Sequence, residues 1–398
     1  MLAAALGPRT AAAEPPALED LEPVTDRDYA IDFHQGPVLG SVRTVGMGGA
    51  AVALAEGSDG ALINPAAVAV RRATAQRRWD WGWHAAWLNP SLAADYDNNG
   101  IDADNELEAA PILTAGLMGQ YRHWGLGISY TSTRIPRTVQ SPGGGERDIL
   151  PQLEVVRVTL ARSFADERVT VGLGFRRGEF SLDVRSAGES APTRLFSLSG
   201  VSLEAGVVWR PKRANGRIGV ALSQPVVVAE PENSACDPEN CAGFILPDEV
   251  IVPWELTVGA AWRFGASRWH ERTEARFRDE RALIVAADLV VTGRAERGHG
   301  FEAFVAQRLQ PAGREISTSV RVGAEYELLP GRLRVQLGSY LEPSRFAGVD
   351  SRVHLTAGVE WRFWQFTLWD KEYRPRLSLT GDFADRYGNA GVSIGFWH

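Results

Sequence analysis

A short acidic stretch of the sequence contains the residue types that bind a hard metal cation. It matches the calcium-loop pattern D-x-[DN]-x-[DN]-G-x5-E, in which oxygen ligands alternate along the chain. Gly100 stands where such a loop turns sharply, but Asp102 replaces the usual hydrophobic residue, and no flanking helices are predicted. The stretch therefore predicts either a calcium site or a solvated acidic loop. The ligand positions would be Asp95, Asp97, Asn99 and Glu106.

The chain has two cysteines, Cys236 and Cys241, which lie close together in a polar segment. Their spacing predicts a small disulfide-closed loop formed in an oxidising compartment. A zinc site is disfavoured because two thiolates need further Cys or His ligands, and none lies nearby in the sequence.

The seven histidines are scattered without the spacing of a zinc site. His354 lies on the polar side of a predicted strand, beside serine and arginine residues, so a Ser/His hydrolase is one alternative. No nucleophile elbow or oxyanion-type glycine turn accompanies it in the sequence. We favour a histidine that is hydrogen-bonded to a neighbouring strand, and we predict no enzyme activity.

Small residues dominate residues 40–66, in contrast to the rest of the chain. Gly46, Gly48 and Gly49 permit tight turns and close backbone approach because they lack a Cβ atom. The motif Asn64-Pro65-Ala66 has the residue types of a helix N-cap and first helical position, and it predicts a short helix. A compact apolar segment ahead of a long series of strands predicts a plug inside a barrel.

This segment resembles the amino-terminal hatch of the FadL/TodX-type outer-membrane transporter family. The resemblance rests on Gly46-Met47-Gly48-Gly49-Ala50 and Asn64-Pro65-Ala66, with Arg43 and Asp59 at matching places. It implies a hatch that enters a fourteen-stranded barrel, with gating at the three glycines and at Asn64, Pro65 and Ala66. PorV-type relatives, which serve protein secretion, carry a similar glycine signature, so that alternative stays open.

Alternation of apolar and polar residues over about ten positions is typical of strands in a membrane barrel. It is clearest at Arg352–Trp364, where Val353, Leu355 and Val359 share one side and His354 and Glu360 the other. A soluble sandwich would show the same alternation. Charges of both signs along the polar faces, and aromatic residues near strand ends, favour a lipid-facing band. These aromatic residues include Trp254, Trp262, Trp361 and Trp397.

Fifteen segments alternate in this way, but a barrel whose two ends both lie on the periplasmic side needs an even number. We assign Gly300–Leu309 to a long external excursion. The predicted strands are then Trp79–Leu88, Pro111–Tyr121, Gly125–Thr133, Leu153–Phe164, Arg168–Phe180, Leu195–Trp209, Arg217–Val228, Ile251–Phe264, Ala282–Thr292, Ser317–Leu328, Arg332–Leu341, Arg352–Trp364, Pro375–Phe383 and Asn389–Trp397.

The polar faces of these strands carry charged residues that would line the lumen. Ion pairing is the expected role because an unpaired buried charge is costly. A polar path, or attraction of a carboxylate by Arg321, Arg334 and Arg352, is the alternative. The predicted lumen charges are Arg157, Asp288, Arg321, Glu325, Arg334, Arg352, Glu360 and Arg362.

Bulk composition fits this prediction. The 398 residues are 44% hydrophobic, yet no uncharged apolar run is long enough for a spanning helix. The formal net charge of −7 disfavours binding to nucleic acid.

We therefore expect an all-β chain that forms a transmembrane antiparallel barrel of about 14 strands in the bacterial outer membrane. Residues 1–24 would be a signal-peptide remnant or disordered lead, residues 25–75 the hatch and residues 76–398 the barrel. Expected partners are outer-membrane lipid, the barrel-assembly machinery and a hydrophobic small molecule.

The resemblance implies passive uptake of fatty acids or aromatic hydrocarbons and no cofactor. A structural calcium ion is expected only if the acidic stretch is a calcium site. A PorV-like interaction protein and a purely structural barrel are the alternatives. The sequence does not predict the oligomeric state.

Overall fold

The structure is a computed structural model that describes residues 17–34, 36–75, 77–90, 95–101, 111–140, 146–186, 192–234, 236–241, 243–369 and 371–396. Within these residues, fourteen antiparallel strands form one closed sheet. They are β1 (Trp79–Asn89), β2 (Ile112–Tyr121), β3 (Trp124–Arg134), β4 (Glu146–Phe164), β5 (Val169–Ser186), β6 (Thr193–Trp209), β7 (Gly216–Ser223), β8 (Glu255–Gly265), β9 (Ala282–Thr292), β10 (Ser317–Leu329), β11 (Leu333–Glu342), β12 (Arg352–Trp361), β13 (Arg376–Ala384) and β14 (Tyr387–Gly395).

Each strand pairs with its neighbours in the sequence, and β14 closes the barrel by pairing with β1. This closure leaves no sheet edge exposed to lipid, where unpaired backbone groups would be costly. All fourteen predicted strands are confirmed. The excluded segment Gly300–Leu309 contains a short helix, α3 (Phe301–Val305), and joins no barrel strand.

Some predicted strand boundaries were wrong. The predicted strand Arg217–Val228 ends at Ser223, because Val226–Val228 pairs instead with Glu249–Val252 in a separate sheet. For the same reason β8 begins at Glu255 rather than at Ile251. Alternation continues through these positions, but tertiary pairing moves them into a different sheet.

The alternation of side chains follows the prediction along the wall. In β12, Val353 and Leu355 on the outer face are 59% and 66% exposed, whereas His354 and Thr356 on the inner face are 0% and 4% exposed. A wall with an apolar outside and a polar inside is the arrangement of membrane barrels. Trp262 and Trp361 lie on the outer face, and Trp397 lies outside the described residues.

Of the predicted hatch, residues 25–75, residues 36–70 pack against the inner face of the wall, and we use the word hatch for these residues from here on. Ser41 caps the helix α1 (Val42–Gly46) by accepting a hydrogen bond from the Thr44 backbone N–H, and α2 (Gly57–Gly60) follows it. The predicted helix after Asn64 is present as a 3-10 helix, Pro65–Ala69.

Residues 17–34 lie at the opposite end of the barrel from the start of β1. Ala30–Asp32 adds a strand between Glu249–Val252 and Gly298–His299, which belong to the loops after β7 and β9. We call residues 17–34 and the described parts of these two loops the outer cap. Because the longest connections lie at this end, we assign it to the cell exterior.

A large apolar cluster holds the outer cap together. Tyr29, Ile31 and Phe33 pack against Phe301 and Phe304 of the α3 loop and against apolar residues of β5 and β6. Cys236 and Cys241 form a disulfide within the cap, and Cys241 is fully buried in the cluster.

None of the helices in the described part of the chain has the length and apolar character needed to cross a bilayer.

Candidate functional site in the barrel lumen

Glycines of the barrel wall let the hatch backbone lie directly against the sheet. At each of them a Cβ atom would overlap hatch backbone or the Asn64 side chain, so a larger residue would displace the hatch. These wall glycines are Gly125, Gly172, Gly206, Gly219, Gly323 and Gly338. Four of them lie in β3 and β5–β7, and two lie in β10 and β11. The hatch therefore packs against two separate parts of the barrel wall.

The predicted hatch glycines lie at such contacts. Gly48 has a φ angle of +61°, and a Cβ atom there would come within 2.7 Å of the Ser339 backbone nitrogen. Gly49 has a φ angle of +76° and packs against the side chain of Arg321. Gly46 packs against Gly358 of β12. Positive φ and close approach both require glycine at positions 48 and 49.

Asn64 joins the hatch to the barrel wall. Its Oδ1 accepts a hydrogen bond from the Ala66 backbone N–H at 3.0 Å, which caps the 3-10 helix that Pro65 and Ala66 begin. Its Nδ2 donates to the carbonyls of Val207 in β6 and Val220 in β7, at 3.2 and 3.3 Å. The same side chain therefore satisfies both the helix end and the adjacent wall.

Asp288 also holds the hatch. This β9 residue is buried, and its Oδ2 accepts hydrogen bonds from the backbone N–H groups of Ala51 and Val52, both at 2.8 Å. The hatch thus donates two main-chain hydrogen bonds to a wall carboxylate, and charge-assisted bonds of this kind are stronger than neutral ones.

Two charged hatch residues join a network of wall ion pairs. Arg43 donates to both oxygens of Glu325, and Asp59 accepts from Arg376 Nη2 at 2.7 Å. The wall charges between these contacts are themselves paired, as Glu325–Arg334 at 3.5 Å, Arg334–Glu327 at 2.8 Å, Arg334–Glu360 at 3.5 Å, Arg362–Glu360 at 2.7 Å and Arg376–Glu360 at 3.5 Å. A further hatch carboxylate, Glu56, pairs with Arg217 of β7.

Most predicted lumen charges therefore serve to pair and to hold the hatch. Arg376, Arg217 and Glu327 were not predicted, although each occupies an inward position in the alternation of its strand. The hatch partners of the two arginines, Asp59 and Glu56, could not be matched to them from sequence.

Above the hatch lies a cavity of about 210 Å³, which we call the outer cavity. Phe33 and Val252 of the outer cap form one side of it, and Leu62 and Ile63 of the hatch form the other. Leu153 and Val155 of β4 continue the apolar lining along the wall.

The outer cavity also has a charged side. Glu204 lies 3.8 Å from Nε of both Arg157 and Arg176. Arg321 lines the cavity too, and its Nε is buried without a hydrogen-bond partner among the described residues. Of the arginines predicted to attract a carboxylate, Arg321 is the one that faces this cavity.

Arg352 does not line the outer cavity, and its guanidinium makes contacts elsewhere in the barrel. It pairs with Glu342 at 2.6 Å and donates to the backbone carbonyls of Asp95 and Tyr96. The buried ring of His354 lies between Glu342 and Asp382, with nitrogen–oxygen distances of 2.5 and 2.8 Å. Both ring nitrogens therefore face carboxylates, and the ring links β12 to its neighbours β11 and β13.

Part of the predicted calcium loop is described. The Asp95 carboxylate accepts hydrogen bonds from the backbone N–H groups of Asn99 and Gly100, at 2.9 and 3.0 Å. Glu106 lies outside the described residues. Instead, Glu302 of α3 brings a carboxylate to this place, so that oxygens of Asp95, Asp97 and Glu302 lie within 4.8 Å of one another.

The pKa values of Asp95 and Asp97 reflect the burial and close spacing of their carboxyl groups. Burial and the neighbouring Asp95 charge raise the pKa of Asp97 to about 7. Burial also raises the pKa of Asp95, against the opposing effect of Arg352. Carboxylate oxygens this close together are the ligand set that calcium prefers.

Comparison with known proteins gives matches in structure but not in sequence. No family model and no curated protein matches the sequence. The structure is similar to that of a Pseudomonas aeruginosa FadL homologue, with a TM-score of 0.54 and 12% identity over 94% of this chain and 98% of that chain.

Two further solved structures are similar. The CymD monoaromatic hydrocarbon channel matches with a TM-score of 0.53 and 13% identity over 90% of this chain and 97% of that chain. The Ralstonia pickettii toluene transporter TbuX matches with a TM-score of 0.51 and 12% identity over 90% of this chain and 98% of that chain. The chain therefore has the fold of FadL/TodX-type channels of the bacterial outer membrane, a closed fourteen-stranded barrel with an amino-terminal segment inside it.

Proposed function

We propose that the protein is an outer-membrane channel for the passive uptake of small hydrophobic compounds. The observation that carries this proposal is the outer cavity, which has an apolar side and lies between the outer cap and the hatch. The likeness to CymD and TbuX supports it. Hydrophobic molecules would leave water for this cavity because burial of apolar surface is favourable.

The size of the cavity favours one of the expected substrate classes. An apolar cavity of about 150 Å³ is large enough to bind benzene. At about 210 Å³, the outer cavity has room for a substituted single ring. A long-chain fatty acid would fit only if the outer cap or the hatch moved. We therefore propose monoaromatic hydrocarbons as the substrates, with long-chain fatty acids as the second class.

Passage to the periplasm requires the hatch to move. The wall glycines and the contacts of Asn64, Asp288 and Arg43 hold the hatch against the wall. The gating residues proposed from sequence, Gly46, Gly48, Gly49, Asn64, Pro65 and Ala66, lie where hatch and wall meet. A shift of this segment would open a path past β6 and β7.

Uptake of radiolabelled toluene and oleate by Gram-negative cells that lack other such channels tests the proposal. Cells with the protein should accumulate toluene faster than cells without it. Ala221→Phe, which fills the outer cavity, should abolish the gain, whereas Ala115→Phe on the lipid face should retain it. Equal uptake with and without the protein, at equal expression, would overturn the proposal and leave a structural or partner-binding barrel.

A further inference from the structure

Two buried arginines at the periplasmic mouth of the barrel lack a carboxylate partner. Arg71 follows the hatch and Arg210 follows β6, and they are 6% and 5% exposed. Arg210 Nη1 donates to the Arg71 carbonyl at 2.9 Å, and Arg71 donates to the carbonyls of Arg122 and Arg77. Among the described residues, no carboxylate lies within ion-pairing distance of either guanidinium.

Several of their hydrogen-bond donors are also unused. Nε and Nη2 of Arg210 and Nε of Arg71 are buried and have no partner among the described residues. Buried donors without partners are rare, and they often indicate a missing ion or water. Burial and the nearby charge of Arg217 lower the pKa of Arg210 to about 10, and burial lowers the pKa of Arg71. Both lowered pKa values are expected for buried guanidinium groups whose positive charge no nearby carboxylate neutralises.

These arginines line a cavity of about 650 Å³ that is rich in positive charge. Its lining has seven Arg or Lys residues and three Asp or Glu residues. Two of the three acids are already paired, Asp166 with Lys212 at 3.3 Å and Glu167 with Arg272 at 2.6 Å. Of the basic residues, Arg72 and Arg217 pair with carboxylates outside this lining. Arg71 and Arg210 have no such partner among the described residues, so their positive charge is left for a ligand.

We propose that Arg71 and Arg210 form a binding site for a phosphate group at the periplasmic mouth. The fork of N–H donors on a guanidinium matches the oxygens of a phosphate. The phosphate belongs either to a phospholipid headgroup of the inner leaflet or to a free anion. Because Arg71 is continuous with the hatch and Arg210 with the wall, the bound phosphate joins the two. An uncharged hydrocarbon would not use this site, so the inference stands apart from the proposed function.

Thermal unfolding of the full-length protein in a zwitterionic detergent without phosphate tests this proposal. The probes are inorganic phosphate and dihexanoyl phosphatidylglycerol, each compared with chloride at equal ionic strength. One or both should raise the midpoint, and the probe that binds more tightly identifies the source of the phosphate. Arg210→Gln should weaken the apparent affinity about tenfold or more, because charge-assisted hydrogen bonds to the phosphate are lost. Arg210→Lys should retain part of the binding.

Lys212→Gln is the matched control, since Lys212 lines the same cavity but already pairs with Asp166. It should keep most of the affinity. If Arg210→Gln fails to fold, Arg71→Gln takes its place, and native mass spectrometry of the wild-type protein reads binding without a variant. The proposal is overturned if neither probe binds the wild-type protein, or if both arginine variants bind as tightly as it does.

Discussion

Arg43 of the hatch donates hydrogen bonds to both carboxylate oxygens of Glu325 in the barrel wall, at 2.7 and 2.9 Å. Glu325 is nearly inaccessible to solvent and also lies 3.5 Å from Arg334. The pair fixes the first hatch helix against β10 and joins the half-buried Arg43 to the buried Glu325. The removal of one partner would leave the other unpaired in the lumen.

Glu325→Gln should therefore destabilise the folded protein by about 3 kcal/mol, because it leaves Arg43, which is half-buried, without its counter-ion. Urea unfolding in detergent, followed by tryptophan fluorescence, measures the change. The control is Lys212→Gln, which breaks an exposed pair and should cost less than 1 kcal/mol. An unchanged midpoint for Glu325→Gln would show that this pair does not hold the hatch.

A shorter polar residue should replace Asn64 as the N-cap of the 3-10 helix, but not as the donor of hydrogen bonds to the wall. Asn64→Ala loses both and should cost about 2 kcal/mol of unfolding free energy. Asn64→Ser keeps a good N-cap, yet its side chain is too short to reach the carbonyls of Val207 and Val220. We expect the serine variant to recover about half of the loss. Full recovery would assign Asn64 to capping alone.

A side chain at a wall glycine should push the hatch out of place. In Gly323→Val the new Cβ atom would overlap the Met47 carbonyl, and overpacking of this kind costs about 1–3 kcal/mol. We expect a leakier barrel, measured as greater sensitivity of the cells to large antibiotics. Gly119→Val is the control, because a Cβ atom there meets nothing within 4 Å. Equal sensitivity of the two variants would contradict the packing described.

Acid should destabilise the periplasmic face through His270. Burial, Arg217 and Arg210 lower its pKa to about 3, against smaller opposing effects of the Gly216 carbonyl and Glu56. Between pH 3 and pH 6.5 the unfolded chain binds a proton here that the folded chain does not. Stability therefore falls as the pH drops below 6.5, by up to about 1.4 kcal/mol per pH unit.

Urea midpoints of the purified protein at pH 7.5 and 5.5 measure this dependence. His270→Gln should reduce the difference between the two midpoints, whereas Lys212→Gln should leave it as in the wild type. An unaltered difference in His270→Gln would place the acid sensitivity elsewhere.

Calcium should stabilise the loop that contains Asp95 and Asp97. At a concentration ten times its dissociation constant, a ligand that binds the folded state alone adds about 1.4 kcal/mol. We expect millimolar calcium to raise the thermal midpoint relative to chelator, and Glu302→Gln to abolish that increase. Glu315→Gln, an exposed acid in the same external connection, is the control. No increase in the wild type would identify the stretch as an acidic loop without a cation.

The wall of the barrel could be predicted from sequence because alternation is a local property of each strand. The ends of β7 and β8 could not, since Val226–Val228 continues the apolar pattern while pairing with the outer cap. The hatch was recognisable from its glycines and Asn64. The partners of its charges were not, because Arg376 and Arg217 lie far away in the sequence and only barrel closure brings them near.

The candidate metal cluster illustrates the same limit. Asp95 and Asp97 belong to a local pattern, whereas Glu302 reaches them from a loop about 200 residues later. Nothing in the sequence links these segments. The position of Ala30–Asp32 in a sheet of the outer cap is equally non-local, since its pairing partners are residues of two separate loops.

The path of the amino-terminal segment constrains how the molecule is made. Residues 17–34 are held on the cell-surface side, while β1 starts at the periplasmic end and is joined to β14 by main-chain hydrogen bonds. Once the barrel is closed, this bulky segment has no route through the lumen to the cell-surface side. The pairing of β1 with β14 must therefore form around an amino-terminal segment that is already inside the barrel. Residues 17–34 would then reach the cell-surface side before the barrel closes.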